Sequence, residues 1–254
     1  MMTSTIEKKC TFFTREEISK VQVNSVPKHI AIIPDGNRRW AYERDSSTEE
    51  GHQQGADIII DIVKAGKELG VRVLTFYVFS TENWLRPKEE IDAVMWLIET
   101  YLIEQKDKMI EEGIKLNVIG NLVKLPISLQ EVIENTKKAT MHCDKVDLIL
   151  AINYGGRDDI IRAMKKMFVE YQCNQLTSES ITEEQISNYL DTASWSDPEL
   201  LIRTSGELRV SNFLMWQISY AEIYSENVYW PDFKPHHLYN AVIDYQNRKR
   251  RLGH

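Results

Sequence analysis

The chain has 254 residues, a formal net charge of −7, 43% hydrophobic residues and 27% charged ones. This length suits one large α/β domain, or two small ones, with a packed core. The acidic balance argues against nucleic acid as the main partner, since phosphate backbones attract clustered Lys and Arg, but it permits a local basic pocket for a small anion. The cysteines, Cys10, Cys143 and Cys173, are odd in number and far apart. That spacing gives no zinc motif and no disulfide framework, and it predicts a reducing compartment. The N-terminus "MMTSTIEKKCTFF" lacks the apolar core of a signal peptide. No run of about 18 apolar residues is present, so the expected location is cytoplasmic, with contact at a membrane surface left open.

Short apolar runs alternate with longer amphipathic ones. The predicted strands are "HIAII" (29–33), "VLTFYVF" (73–79), "KLNVIG" (115–120), "DLILAINY" (147–154) and "ELLIR" (199–203). Their near-continuous Val, Ile and Leu content predicts a sheet covered on both faces. Helices are predicted near 52–69, 89–112, 127–142, 157–172, 182–191 and 235–249. Gly70 and Gly113 stand where helix C-caps fall. "TEEQ" at 182–185 reads as a capping box, and "TREEIS" near the N-terminus as a capped short helix. The βαβα alternation predicts a single α/β domain, a central parallel sheet flanked by helices. Ligands of such sheets bind beyond the carboxyl ends of the strands. Three polar stretches fall at strand ends: "PDGNRR", "STENWLRP" and "NYGGRDD". Polar residues gather in loops anyway, but three such stretches together favour a shared site.

The helix at 89–112 would run roughly 35 Å. It is apolar on more than one face, through Ile91, Val94, Met95, Trp96, Leu97, Ile98, Tyr101, Leu102 and Ile103. A helix coating a sheet needs only one stripe. Two readings follow: burial or a subunit contact, or one face lining a long apolar tunnel between sheet and helices.

"PDGNRRW" (34–40) has neither P-loop spacing nor a dinucleotide fingerprint. Its parts still suit a charged ligand. Gly36 lets the backbone bend toward an anion. Arg38 and Arg39 can each donate paired hydrogen bonds to phosphate oxygens. Asp35 repels phosphate, but an acid beside a phosphate site suits Mg²⁺, which takes one or two carboxylates plus phosphate oxygens. The simpler reading is an Arg–Asp35 pair on a surface turn. In "LLIRTSGELRVSNF" (200–213), Arg203 and Arg209 flank Gly206, with Thr204, Ser205 and Ser211 as hydroxyl donors, and the simpler reading is a surface pair such as Arg209 with Glu207. The aromatic run 216–233 carries one central acid, Glu222, and reads otherwise as core and subunit surface. Two anion pockets, one acid ready for a metal and an apolar lining suggest two phosphorylated, greasy substrates, without naming a reaction.

"HIAIIPDGNRRWA", "FYVFSTENWLRP", "INYGGRDDI" and "LIRTSGELRVSNFLMWQISYAEIYSENVYWPDF" resemble, in order and spacing, the signature regions of the cis-prenyltransferases, most closely the bacterial undecaprenyl diphosphate synthases. The resemblance runs from about residue 27 to the C-terminus, so residues 1–26 read as an N-terminal extension and 27–254 as the catalytic domain. It implies a Mg²⁺-dependent homodimer that adds isopentenyl diphosphate to an allylic diphosphate, usually farnesyl diphosphate, forming Z double bonds. The implied product is a C50–C55 precursor of the cell-wall lipid carrier, with a peripheral membrane contact for its release. By the resemblance, Asp35 is the essential acid that positions the metal, and Asn83 is a second catalytic residue. Gly36, Asn37, Arg38, Arg39 and Trp40 would bind the allylic diphosphate, with His52 and Gly55 near the reacting groups. Ser80, Trp84 and Arg86 would join them from a loop that closes over substrate. Arg203, Arg209 and Ser211 would grip the isopentenyl diphosphate, and Glu222 would complete the metal site from across the dimer. The terminal "RLG" (251–253) resembles a tail that reaches the partner's site. The same resemblance admits a short-chain or irregular prenyl coupling enzyme. A non-catalytic partner subunit is disfavoured by the presence of Asp35, Asn37, Arg203, Arg209 and Glu222.

The chain departs from the family pattern in places. Pro34 stands where many relatives have Met, and Arg38 where some bacterial members have Gly. Thr48 replaces an arginine directed at the allylic diphosphate, with Glu49 and Glu50 beside it. Arg38 or Arg44 is the expected source of the missing charge. Val78 occupies a slot that often holds a smaller residue and could narrow the tunnel.

Overall fold

All five residues of the run His29–Ile33 are buried, as an apolar strand covered on both faces requires. This is strand β1 of a computed structural model that describes residues 12–249. The other strands are β2 (Val73–Ser80), β3 (Ile114–Ile119), β4 (Val146–Tyr154), β5 (Leu200–Arg203) and β6 (Glu222–Ser225). They form one sheet in the order β3-β4-β2-β1-β5-β6, with every pair parallel. The helices are α1 (Arg15–Lys20), α2 (Asn37–Tyr42), α3 (Thr48–Asp57), α4 (Ile59–Leu69), α5 (Lys88–Glu112), α6 (Ile127–Thr140), α7 (Gly156–Gln172), α8 (Glu183–Tyr189) and α9 (Pro235–Asn247).

Successive strand residues point to opposite faces of a sheet, and the core divides accordingly. Ile30, Ile32, Leu74, Phe76, Leu148 and Leu150 pack in one cluster with Ile62, Leu102, Leu129 and Leu238 from α4, α5, α6 and α9. Ala31, Ile33, Ile149, Ala151 and Leu201 belong to a second cluster with Tyr154, Phe213 and Leu214. Parallel strands put all their carboxyl ends on one side. Thr81, Gly155 and Thr204 follow directly from those ends, and Asp35 one residue beyond.

The predicted helix 52–69 is two helices. α3 starts earlier, at Thr48, where the Ser47 hydroxyl accepts from the Glu50 N–H at 3.1 Å. The break at Ile58 leaves no gap in the apolar pattern, so periodicity did not reveal it. Two short elements also escaped prediction: α2, inside "PDGNRRW", and β6, four residues within the aromatic run. Gly70 and Gly113 are left-handed C-caps, with φ of 98° and 69°. Thr14 and Glu17 form the capping box of α1. Part of the segment before residue 27 is built into the core: Phe13 is buried, and the Phe12 and Phe13 N–H groups donate to the Glu68 carboxylate, each at 3.3 Å. Among the described residues no helix is long and apolar enough to cross a membrane.

Candidate active site

The register places Ile33 of β1 opposite Arg203 of β5. The chain beyond each strand therefore starts side by side, and Asp35 meets Arg203. The Asp35 main chain is fixed first. Its carbonyl accepts from Thr204 Oγ1 at 2.6 Å, Ser205 Oγ at 2.9 Å and the Trp230 N–H at 2.9 Å. Gly36 follows at φ 106°, where a Cβ would lie 2.2 Å from Ser205 Oγ. Only glycine allows this turn. It starts α2 and returns Arg39 toward Asp35.

The Asp35 carboxylate lies between two guanidiniums. Arg203 Nη2 donates to Oδ2 at 2.7 Å, and Arg39 Nη2 is 3.1 Å from Oδ1. Arg209 Nη2 reaches Oδ2 at 4.0 Å. Burial pushes the Asp35 carboxyl up, but Arg203 and Arg39 together outweigh it and hold the group below its usual value. Arg203 Nη1 also donates to the Arg209 carbonyl and to Ser211 Oγ, the latter at 2.8 Å, while its buried Nε has no partner in the protein. Both simple surface pairs exist, Arg39 with Asp35 and Arg209 with Glu207. They do not exhaust the site, because an orphaned guanidinium N–H remains.

Asn37 and His52 leave further orphans. Asn37 Nδ2 donates to His52 Nδ1 at 3.2 Å, and both Asn37 Oδ1 and His52 Nε2 are buried without partners. A Cβ on Gly55 would lie 2.8 Å from Asn37 Oδ1, so this approach needs glycine. Burial and the nearby Arg86 lower the His52 pKa, keeping the ring neutral at pH 7. Unpaired buried polar atoms are costly. Their concentration at one place marks a site built for a polar ligand.

Asp35, Asn37, His52 and Arg203 border one cavity of about 710 Å³, whereas Gly36, Arg39 and Arg209 are not on its lining. Asp35, Asn37, His52, Ser80, Asn83, Arg86, Arg203 and Ser211 line its polar part. Val94, Leu97, Ile98 and Tyr101 of α5, with Ile59 and Leu150, line its apolar part. The extra apolar stripe of α5 thus has a wall to form, while Trp96 and Ile103 on another side of the helix remain exposed.

Other predicted residues sit outside this lining. Trp40 Nε1 donates to Asp232 at 3.0 Å, and Trp84 Nε1 to Asn153 at 2.7 Å. Arg38 is largely exposed, 3.9 Å from Glu90, which also takes a hydrogen bond from Arg86 at 3.1 Å. Within one chain Glu222 does not meet Asp35. It starts β6, level with Leu200, and pairs with Arg248 at 2.9 Å. The tail at 251–253 lies outside the described residues. Sequence reasoning missed Glu82, Arg157, Asn212 and Tyr77, which all line the cavity. "STENWLRP" and "NYGGRDD" flagged the segments of Glu82 and Arg157, but nothing in residue type singled out these members.

Among the described residues no group of three His, Cys, Asp or Glu side chains converges to hold a metal alone. Asp35 offers one carboxylate beside orphaned donors. That set fits Mg²⁺ only when phosphate oxygens or water complete its shell.

An acid between arginines, at the carboxyl end of a parallel sheet and the mouth of an apolar cavity, defines a site for an amphiphilic anion. Residues 33–253 match the family model described as "Putative undecaprenyl diphosphate synthase". The isoprenyl transferase of Clostridium tetani is 47% identical over 234 residues, covering 92% of each chain. That of Chlamydia caviae is 45% identical, over 94% of this chain and 97% of its own. Among solved structures, lavandulyl diphosphate synthase from Lavandula x intermedia, in complex with dimethylallyl diphosphate, aligns with a TM-score of 0.89 at 33% identity, covering 91% of this chain and all of that one. A "probable undecaprenyl diphosphate synthase" from Campylobacter jejuni aligns with a TM-score of 0.76, also at 33% identity, covering 90% and 99%. The chain belongs to the undecaprenyl diphosphate synthase family of prenyltransferases. It is an enzyme of cis-prenyl transfer.

Proposed function

We propose that the chain condenses isopentenyl diphosphate with an allylic diphosphate, farnesyl diphosphate by preference, to make a Z-polyprenyl diphosphate of about C50–C55. The observation that carries this reading is that Asp35, paired with Arg39 and Arg203, lines with Arg203 a 710 Å³ cavity walled by the apolar side of α5. The arginines and the orphaned Arg203 Nε bind diphosphate, and the apolar wall takes the tail at about 25 cal/mol per Å² buried. Ionising the allylic C–O bond builds charge on the leaving diphosphate, which the fixed guanidiniums stabilise more than the ground state. Asp35 would hold Mg²⁺, which supplies Lewis-acid stabilisation of that leaving group when bound. His52, neutral with its proton on Nε2, is set to donate to a phosphate oxygen. The enzyme works as a homodimer in which Glu222 of one copy completes the metal site of the other. It acts in the cytoplasm and touches the membrane peripherally as product leaves.

Incubating the purified chain with farnesyl diphosphate, isopentenyl diphosphate and Mg²⁺, then sizing the product, tests this. A ladder ending near C50–C55 is expected. A second reading, a short-chain or irregular coupling enzyme, draws support from the TM-score of 0.89 to lavandulyl diphosphate synthase, against 0.76 to the Campylobacter structure. One short product, or none from farnesyl diphosphate, would decide for it.

A further inference from the structure

Helix α7 starts at a glycine pair and has no capping side chain of its own. The first N–H groups of any helix lack partners within it. Here they are met by a residue 55 positions away in sequence: Asn212 Oδ1 accepts from the Arg157 N–H at 3.0 Å, and the Asn212 carbonyl accepts from the Gly156 N–H at 2.7 Å. The other half of the same carboxamide is also engaged. Asn212 Nδ2 donates to Glu82 Oε1 at 2.9 Å.

Its partner Glu82 and its chain neighbour Ser211 lead to different halves of the site. Glu82 lies in the tight turn Thr81–Leu85, between Ser80 and Asn83, and that turn is closed by the Ser80 N–H donating to Asn83 Oδ1 at 3.0 Å. Asn212 follows Ser211, which accepts from Arg203. The segment is strained, with Ser211, Asn212 and Leu214 at φ of 48°, 63° and 47°. Residues with a Cβ hold such angles only where their surroundings impose them. Asn212 is pinned on both sides within this segment. Glu82, Arg157, Ser211 and Asn212 all line the cavity.

We propose that Asn212 is a positioning residue whose hydrogen bond to Glu82 couples the turn on the allylic side to the Arg203–Ser211 loop on the isopentenyl side. This rests on the two-diphosphate reading above. Occupancy of one diphosphate site then sets the geometry of the other, and the coupling is reciprocal. Burial pushes the Glu82 carboxyl up, but the Asn212 hydrogen bond and neighbouring donors hold it below its usual value, so the acceptor is charged.

Asn212→Asp separates coupling from capping. The aspartate still accepts from the Arg157 N–H, and a negative charge at a helix N-terminus is favourable, so the cap is kept. Its second oxygen faces the Glu82 carboxylate in place of a donor. The KM for isopentenyl diphosphate is expected to rise about tenfold. In calorimetric titration, a non-ionising thio-analogue of farnesyl diphosphate tightens isopentenyl diphosphate binding to the wild type and not to the variant. Adding Glu82→Gln restores a donor–acceptor pair with reversed polarity and returns KM to within about threefold of wild type. Glu82→Ala cuts the link from the other side and gives the same KM rise if Asn212→Asp fails to fold. An unchanged KM in a folded Asn212→Asp variant, or no rescue by Glu82→Gln, overturns the coupling. An inactive wild type in the product-sizing assay breaks the functional reading instead, whereas an active wild type beside an unaffected variant breaks this inference alone.

Discussion

Two acid–arginine clusters stand in this molecule, built from the same residue types and differently completed. In the first, Arg162 spends its whole guanidinium on protein: Nε on Asp158 at 2.8 Å, Nη1 and Nη2 on Asp191 at 2.6 and 2.7 Å, and Nη2 on Asp159 at 3.4 Å. Asp159 also accepts from the Tyr154 hydroxyl at 3.0 Å and the Asp191 N–H at 3.1 Å. In the second, Arg203 grips Asp35 and Ser211 but leaves Nε without a partner, and Asp35 is open to a cavity. Burial and Asp191 push the Asp159 carboxyl up, while the guanidiniums hold Asp35 down. A closed network ties α7 to the loop before β5, whereas an open one waits for a ligand. Spare hydrogen-bonding capacity, rather than the count of charges, separates the two.

The largest expected effect tests the open cluster. Asp35→Asn keeps the shape and the backbone contacts but removes the charge, and turnover should fall about a thousandfold. A variant that elongates as fast as wild type would move the chemistry away from this cluster. Its stability has a signed pH dependence. The lowered carboxyl pKa means that the Asp35–Arg203 pair stabilises the fold above the ordinary carboxylate value of about 3.9, and the contribution is lost as pH falls through the folded value. Denaturation midpoints of wild type and Asp35→Asn should therefore converge only in acid.

Next in size is the closed cluster. Arg162→Ala leaves Asp159 and Asp191 facing each other without a cation, and should cost about 3 kcal/mol or more of stability, read from urea denaturation. An unchanged midpoint would mean that the network is ornamental, and the contrast with Asp35 would collapse.

The sequence showed the sheet well, because β1 is buried and apolar along its whole length and β2, β4 and β5 are largely so, with no helix period competing. It missed β6, whose four residues need β5 as a template to be recognised as a strand. Asp35, Arg39 and Arg203 were legible as a charged burst after buried strands, and their meeting follows from the Ile33–Arg203 register, which a linear pattern does not contain. Asn212 was illegible for a related reason. Its importance lies in three partners from two distant segments and in a positive φ, and neither is a property of its local sequence. Trp40 and Trp84, drawn in by the family pattern, are engaged with Asp232 and Asn153.

The smallest expected effect concerns the arginine that the family resemblance leads one to expect at Thr48, for which the sequence left Arg38 and Arg44 as equal substitutes. Arg44 is engaged elsewhere: its Nη2 pairs with Asp232 at 3.0 Å, and its guanidinium stacks 4.5 Å from the Trp40 ring. Arg38 reaches Glu90 at 3.9 Å, and Glu90 lines a small cavity together with Thr48 and His52. That cavity shares His52 with the main one. Arg38 is thus linked through Glu90 to the cavity that Thr48 lines, by a long pair whose guanidinium is exposed and which costs little to break. Arg38→Ala should raise the KM for the allylic substrate about fivefold with a smaller change in kcat, as expected for loss of uniform binding to an exposed phosphate contact. Arg44→Ala should leave it within about twofold. Steady-state kinetics with farnesyl diphosphate as the varied substrate separates them, and equal effects of the two substitutions would remove Arg38 from the role.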